Sequence, residues 1–149
     1  MLGIDLSPEM IKCAARLSPG LEFRVGDMRT LDLAPASLAG VVAFYSIVHF
    51  TVDQLPDVMH EIRRVLIPGG LALVAFHVGD EVVHVDELFG SPVELDFRFH
   101  QPVQVTEVLQ AAHLHVIERV EREPYNGAEY PSRRCYLLAR AGRPTSSAS

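Results

Sequence analysis

Gly3-Ile4-Asp5-Leu6-Ser7-Pro8-Glu9-Met10 is the stretch on which the fold turns, because its pattern changes from strand to helix within a few positions. Met1 to Leu6 reads as a short apolar strand that ends on an acid. Ser7-Pro8-Glu9 then has the makings of a helix start: a hydroxyl to cap, proline at the first helical position, and an acid near the positive end of the dipole. Met10, Ile11, Ala14, Ala15 and Leu17 line one face of that helix, and Pro19-Gly20 stops it. Leu21 to Val25 is a second strand, ending at Gly26-Asp27. Strand, helix and strand in such close succession are the building unit of a parallel sheet.

The rest of the chain extends the same reading. Ala39 to Tyr45 is apolar without alternation, as expected of a strand buried on both faces. Val52 to Leu66 is helical in period through Leu55, Val58, Met59, Ile62, Val65 and Leu66, with Glu61, Arg63 and Arg64 mainly off that stripe. Pro68-Gly69-Gly70 is expected to break the helix and lead into a further strand at Leu71 to Phe76. Between Val78 and His100, Val93, Leu95, Phe97 and Phe99 alternate with Glu94, Asp96 and Arg98, which predicts a half-exposed strand or hairpin inserted into the domain. A helix over Pro102 to His113 and strands at Val116 to Val120 and Arg134 to Arg140 complete the order. Pro124, Asn126, Gly127 and Pro131 make the last connection hairpin-like.

The expected fold is therefore α/β, a Rossmann-like, doubly wound and mostly parallel sheet whose closing pair forms an antiparallel edge. One domain spans 1–141, with 78–100 as a substrate-side insertion or lid and 142–149 as a disordered polar tail. No internal repeat interrupts this order.

Composition excludes several alternatives. The chain has 149 residues, enough for one domain with a substantial core and too few for two ordinary ones. Its formal charge of −6 gives no electrostatic reason to bind nucleic acid. No apolar run has the length to span a membrane, and the first residues lack the pattern of a signal peptide. Cys13 and Cys135 stand far apart and form no metal-ligand or redox spacing. Free thiols suit a reducing, cytoplasmic setting.

In open α/β sheets, ligands lie beyond the carboxyl ends of the strands. Three such ends carry useful groups. Asp5 can accept from both hydroxyls of a ribose, although an acid before a helix also serves the dipole alone. Asp27-Met28 can offer a carboxylate to an exocyclic amine and a thioether to a ring face. Phe44-Tyr45-Ser46-Ile47-Val48-His49-Phe50 follows the third strand.

Together with Glu61-Ile62-Arg63-Arg64-Val65-Leu66-Ile67-Pro68-Gly69-Gly70, these segments resemble, in spacing and order, the class I S-adenosylmethionine-dependent methyltransferases. The closest resemblance is to small-molecule enzymes of the ubiquinone/menaquinone-biosynthesis-like type. The resemblance implies S-adenosyl-L-methionine as cofactor, a small-molecule acceptor, and the strand order 3-2-1-4-5-7-6. It also implies that Asp5 binds the ribose, Leu6 and Met10 pack near the adenosine, and Asp27 and Met28 hold the adenine. Phe44, Tyr45 and Ser46 would line the methionine end. His49 would stand closest to the acceptor as the candidate catalytic residue, with His77 second; no metal is implied. His60, His113 and His115 have no implied role, and His113 falls where the family usually has a helix-ending glycine.

One departure matters. The family places a strand, an acid, a glycine-rich turn and a helix before the position of Met1, so the chain reads as N-terminally truncated, with methyl transfer expected to be impaired and binding of the full cofactor weak or absent. The absent strand belongs between Leu2–Leu6 and Val41–Tyr45. Its loss would expose two strand edges, which would either pair with each other or invite another chain, including a homodimer. Two rivals from other classes remain: a non-catalytic remnant or interaction protein, and an NAD-linked oxidoreductase. A final antiparallel strand would count against the oxidoreductase.

Overall fold

The structure is a computed structural model that describes residues 1–88 and 90–142. The expected disordered tail therefore lies outside the described residues from 143 onward.

The opening unit forms as the sequence predicts. β1 (Leu2–Asp5) pairs in parallel with β2 (Glu22–Val25), with α1 (Pro8–Leu17) between them. Ser7 caps α1, its hydroxyl accepting from the Met10 amide at 3.3 Å, and Pro8 occupies the first turn. The second strand begins one residue later than expected, at Glu22.

β3 (Leu38–Phe44) opens the larger sheet. Two short 3-10 turns, Ile47–His49 and Val52–Gln54, then lead into α2 (Leu55–Val65). The expected single helix from Val52 is thus divided. α2 buries Leu55, Val58, Met59, Ile62 and Val65, the stripe anticipated from the sequence. The expected break at Pro68-Gly69-Gly70 takes another form, since β4 (Leu66–His77) starts directly after α2. Leu66 pairs with Leu38 and Leu71 with Gly40, so β4 advances five residues against two of β3 and bulges between. Gly69 supplies φ 81° in that bulge, and a side chain at Gly70 would meet the Ile67 and Ala39 carbonyls at 3.0 and 3.1 Å.

The Val78–His100 region is the predicted hairpin: β5 (Val82–Leu88) antiparallel to β6 (Ser91–Arg98) as a separate two-stranded sheet. α3 (Pro102–Ala111) follows, and His113 takes φ 58° just past it, the left-handed cap that glycine would adopt without strain. β7 (Leu114–Arg122) and β8 (Arg134–Ala141) close the chain. The order in the large sheet is β3-β4-β8-β7, with β8 inserted antiparallel between β4 and β7. That is the antiparallel closure expected from the terminal pair.

The core lies between this sheet and helices α2 and α3, with Met59, Ile62, Phe76, Leu109 and Leu137 among its fully buried members. β1 pairs only with β2, and β3 only with β4, among the described residues. The two edges do not join each other. Among the described residues, no helix is long and apolar enough to cross a membrane, and no group of three or more His, Cys, Asp or Glu residues could hold a metal ion. Both cysteines are free.

Candidate functional site at the carboxyl ends of the strands

The first strand end is built by a tight turn. Asp5 is exposed, and its Oδ1 accepts from the Ser7 amide at 2.8 Å; its other oxygen makes no hydrogen bond to a described residue. The sequence that caps the helix thus also orients the acid. Leu6 and Met10 are exposed beside it, 67% and 48% accessible, and form an apolar flank without a covering partner.

The second end is more committed. Both Asp27 oxygens are taken by Arg29: the backbone amide donates to Oδ1 at 2.8 Å, and the guanidinium reaches Oδ2 at 2.6 Å. These bonds hold the Asp27 carboxyl below the usual carboxylate range, and Arg29 itself lies 5.7 Å from the centre of the Phe50 ring. Asp27 is therefore not a free acceptor; a ligand amine would share it with Arg29. Met28 is half-buried and packs against the main core. An open groove of about 620 Å³ runs beside this pair, and four of its charged lining residues are paired there, Asp27 with Arg29 and Glu61 with Arg64.

The third end carries an unusual backbone. Tyr45 has φ 52°, and its amide donates to the Ala75 carbonyl at 2.9 Å. A left-handed residue other than glycine marks a position held by its surroundings. Phe44 is 56% exposed and meets Tyr45 edge-on at 4.7 Å, while Ser46 is half-buried. The chain then turns through Ile47–His49. His49 is open to solvent at its edge yet closely surrounded, and that crowding lowers its pKa. The Asp5 charge acts on it in the opposite direction. Phe97 of β6 lies 5.3 Å from the His49 ring, so the hairpin reaches the same place.

His77, at the end of β4, is the adjoining group. Its Nδ1 lies 2.6 Å from the Ser132 hydroxyl, and its ring is stacked between Tyr45 at 4.9 Å and Phe99 at 5.1 Å. Burial and then the Arg134 charge lower its pKa. Alternation had marked Phe97 and Phe99 as one face; that this face covers two histidines was not readable. His60 turns back on its own helix, its Nδ1 2.7 Å from the Pro56 carbonyl. Arg29, His100, Ser132 and Tyr136 escaped the sequence reading altogether. Their partners are set by side-chain rotamers or lie far along the chain.

Three comparisons now bear on this geometry. Residues 1–70 match the methyltransferase domain family. Over 72 residues the chain is 38% identical to a demethylmenaquinone methyltransferase of Chlorobaculum parvum, a match that covers 48% of this chain and 29% of that relative. The fold aligns with an S-adenosylmethionine-dependent methyltransferase of Methanosarcina mazei at a TM-score of 0.81 and 13% identity, over 95% of this chain and 81% of that one. Residues 1–70 thus match a methyltransferase domain, and the fold of the chain is that of S-adenosylmethionine-dependent methyltransferases.

A third relative adds detail to the methyltransferase fold. It is the 1,6-didemethyltoxoflavin-N1-methyltransferase of Burkholderia thailandensis, solved with its substrate and S-adenosylhomocysteine, at a TM-score of 0.70 and 19% identity over 95% of this chain and 61% of that one. At these identities the structural likeness is one of fold. At this end of the fold one Asp5 oxygen has no partner among the described residues, Met28 is half-buried, and both Asp27 oxygens are engaged by Arg29.

Proposed function

We propose that this chain binds S-adenosylmethionine across the ends of β1 and β3 and transfers a methyl group to a small-molecule acceptor admitted beside the β5–β6 hairpin. The observation that carries the reading is convergence: the segment after β3 carries Tyr45 and His49, Phe97 of β6 lies 5.3 Å from the His49 ring, and the Asp5 charge after β1 acts on the same histidine. A pocket of about 210 Å³ opens at the hairpin's base, lined in part by Thr51, Arg98, Phe99 and His100.

Bound there, the cofactor supplies a methyl group already activated by a sulfonium. The residues of this chain then have positioning to do. The free oxygen of Asp5 accepts from the ribose hydroxyls, and Leu6, Met10 and Met28 pack against adenosine. Asp27 receives the adenine amine alongside Arg29. Phe44, Tyr45 and Ser46 form the wall at the methionine end. His49, neutral at pH 7 because its crowding lowers its pKa, takes a proton from an acceptor that must lose one.

A non-catalytic, methyltransferase-like interaction protein is the second reading. Its support is the engagement of both Asp27 oxygens by Arg29, together with the unpaired edges of β1 and β3, through which a homodimer could form. The NAD-linked alternative loses support from β8, which is antiparallel as a methyltransferase sheet requires. Calorimetric titration with S-adenosylmethionine and S-adenosylhomocysteine separates the first two. Heat that Asp5→Asn abolishes supports cofactor binding; no heat at millimolar ligand sinks it.

A further inference from the structure

Tyr45 is held in a conformation that its own chemistry disfavours. A left-handed φ is disfavoured for an L-residue other than glycine, and Tyr45 sits at φ 52°. The turn it makes is consequential. Ser46 returns at once to φ −97°, and Ile47–His49 follow as a 3-10 turn, so this one residue turns the chain out of β3 into the segment that carries His49.

The surroundings show what holds it. The Tyr45 hydroxyl is 2.9 Å from that of Tyr136 on β8, a residue 91 positions later. Burial, and then this bond, push the Tyr45 phenol up to about 12. His77 stacks on the ring and Phe44 meets it edge-on. Tyr136 is braced in turn: the Arg122 guanidinium lies 5.7 Å from its ring centre. Arg122 is fixed by two bonds of 2.7 Å that it donates to the Glu129 carboxylate, and Arg134 stands 3.6 Å from the same group. A network on the closing strands thus ends on one phenol.

We propose that Tyr136 is a positioning residue for the candidate site: its hydroxyl latches Tyr45 in the left-handed conformation and so sets where Ser46 and His49 stand. The inference rests on the site proposed above, but the latch exists without ligand and can be measured without one.

The test is a double-mutant cycle of Tyr45→Phe, Tyr136→Phe and the pair, which removes one hydroxyl bond and keeps both rings. The first readout is the His49 titration followed by NMR in the ligand-free protein, with the signal assigned by His49→Gln. Each single variant is expected to move the His49 pKa up toward its ordinary value, and the pair to move it no further, since both remove the same bond. The second readout is S-adenosylhomocysteine affinity, expected to weaken by on the order of tenfold in each single variant and equally in the pair. An unchanged His49 titration in both single variants overturns the latch. A shifted titration with no S-adenosylhomocysteine binding, even in the unaltered chain, upholds the latch and removes the cofactor reading. Should Tyr136→Phe unfold, Tyr45→Phe carries the test alone, because it leaves the Arg122–Glu129 bracing intact.

Discussion

Two helices of this chain carry similar patterns and meet different fates. α1 and α2 are each amphipathic, each begins with proline in the first turn, and each follows a strand. α2 buries five apolar side chains, whereas α1 buries none. The same contrast extends to the strands: β4 is buried along most of its length from Ala72 to Phe76, while β1 and β2 hold no buried residue. Amphipathicity reports that a helix has a face to hide. It does not report that a partner is there to hide it. α2 has β3, β4 and α3 to pack on, and α1 has only a two-stranded sheet. Burial of apolar area stabilises in proportion to the area removed from water, so the β3–β8 body holds most of the stability and the opening unit depends on it.

The sharpest way to break this contrast is to truncate one apolar side chain in each helix. Ile62→Ala in α2 is expected to cost about 2–5 kcal/mol, the range for a fully buried aliphatic, read as a fall in urea midpoint. Leu17→Ala in α1, where the side chain is 75% exposed, is expected to stay within about 0.5 kcal/mol. Equal losses would mean that α1 is covered in solution, and the contrast would collapse.

The join between the two regions comes next. Glu61 of α2 accepts from the Leu31 amide at 2.6 Å and pairs with Arg64, whose guanidinium also donates to the Leu31 and Leu33 carbonyls. This clamp fastens the loop after β2 to the main core, and the Arg64 guanidinium holds Glu61 below the usual carboxylate range. Glu61→Ala leaves the half-buried Leu31 amide without its acceptor and Arg64 without its counter-charge, a loss of about 1–3 kcal/mol. Faster hydrogen exchange and proteolysis confined to residues 26–38 are the expected signature. Global loosening instead would show that the opening unit and the body unfold as one.

Acid should act on the body rather than on the opening unit. His100 is buried, its Nε2 is 3.1 Å from the Ile47 carbonyl, and its Nδ1 has no partner among the described residues. Burial lowers its pKa, as it does for His49 and His77. A folded pKa below the unfolded value means that the unfolded chain binds protons first. The stability from these groups is therefore complete above about pH 6.5 and drains away as pH falls toward their folded pKa values. Each pH unit of depression is worth about 1.4 kcal/mol. His84 works the other way: its bond to Asp96 raises its pKa, so its small, exposed contribution is present at low pH and lost as pH rises. Stability measured from pH 7.5 to 5 should decline, and His100→Gln should flatten the decline. An unchanged slope in that variant would move the cause to His49 and His77.

How much of this was legible follows the same division between local and distant causes. Ser7 capping α1, the α2 stripe, the hairpin at β5–β6 and the left-handed His113 depend on neighbours a few residues away, and the sequence carries them plainly. The antiparallel β8 was readable from the turn before it. The Tyr45–Tyr136 bond and the His77–Ser132 pair were not, because 91 and 55 positions separate the partners and no pattern links them. Asp27 failed differently. Its partner Arg29 is two residues away and in plain view, yet a carboxylate beside an arginine in a loop is as often unpaired. Only rotamer and turn geometry decide which.

The smallest expected effect concerns the unpaired edge of β3. Val42 is 67% exposed and Phe44 56% on a strand that carries no charge between Leu38 and Phe44. Uncharged, exposed edges invite pairing with another chain. Val42→Lys puts a charge on that edge and leaves the core alone, so its effect on the stability of the monomer should lie within about 0.5 kcal/mol. If copies associate through β3, light scattering across a concentration series should show the unaltered chain growing in mass and the variant staying monomeric. Identical masses for both would exclude β3 from any self-association, and the exposed faces of β1 and α1 would be the remaining surface to alter.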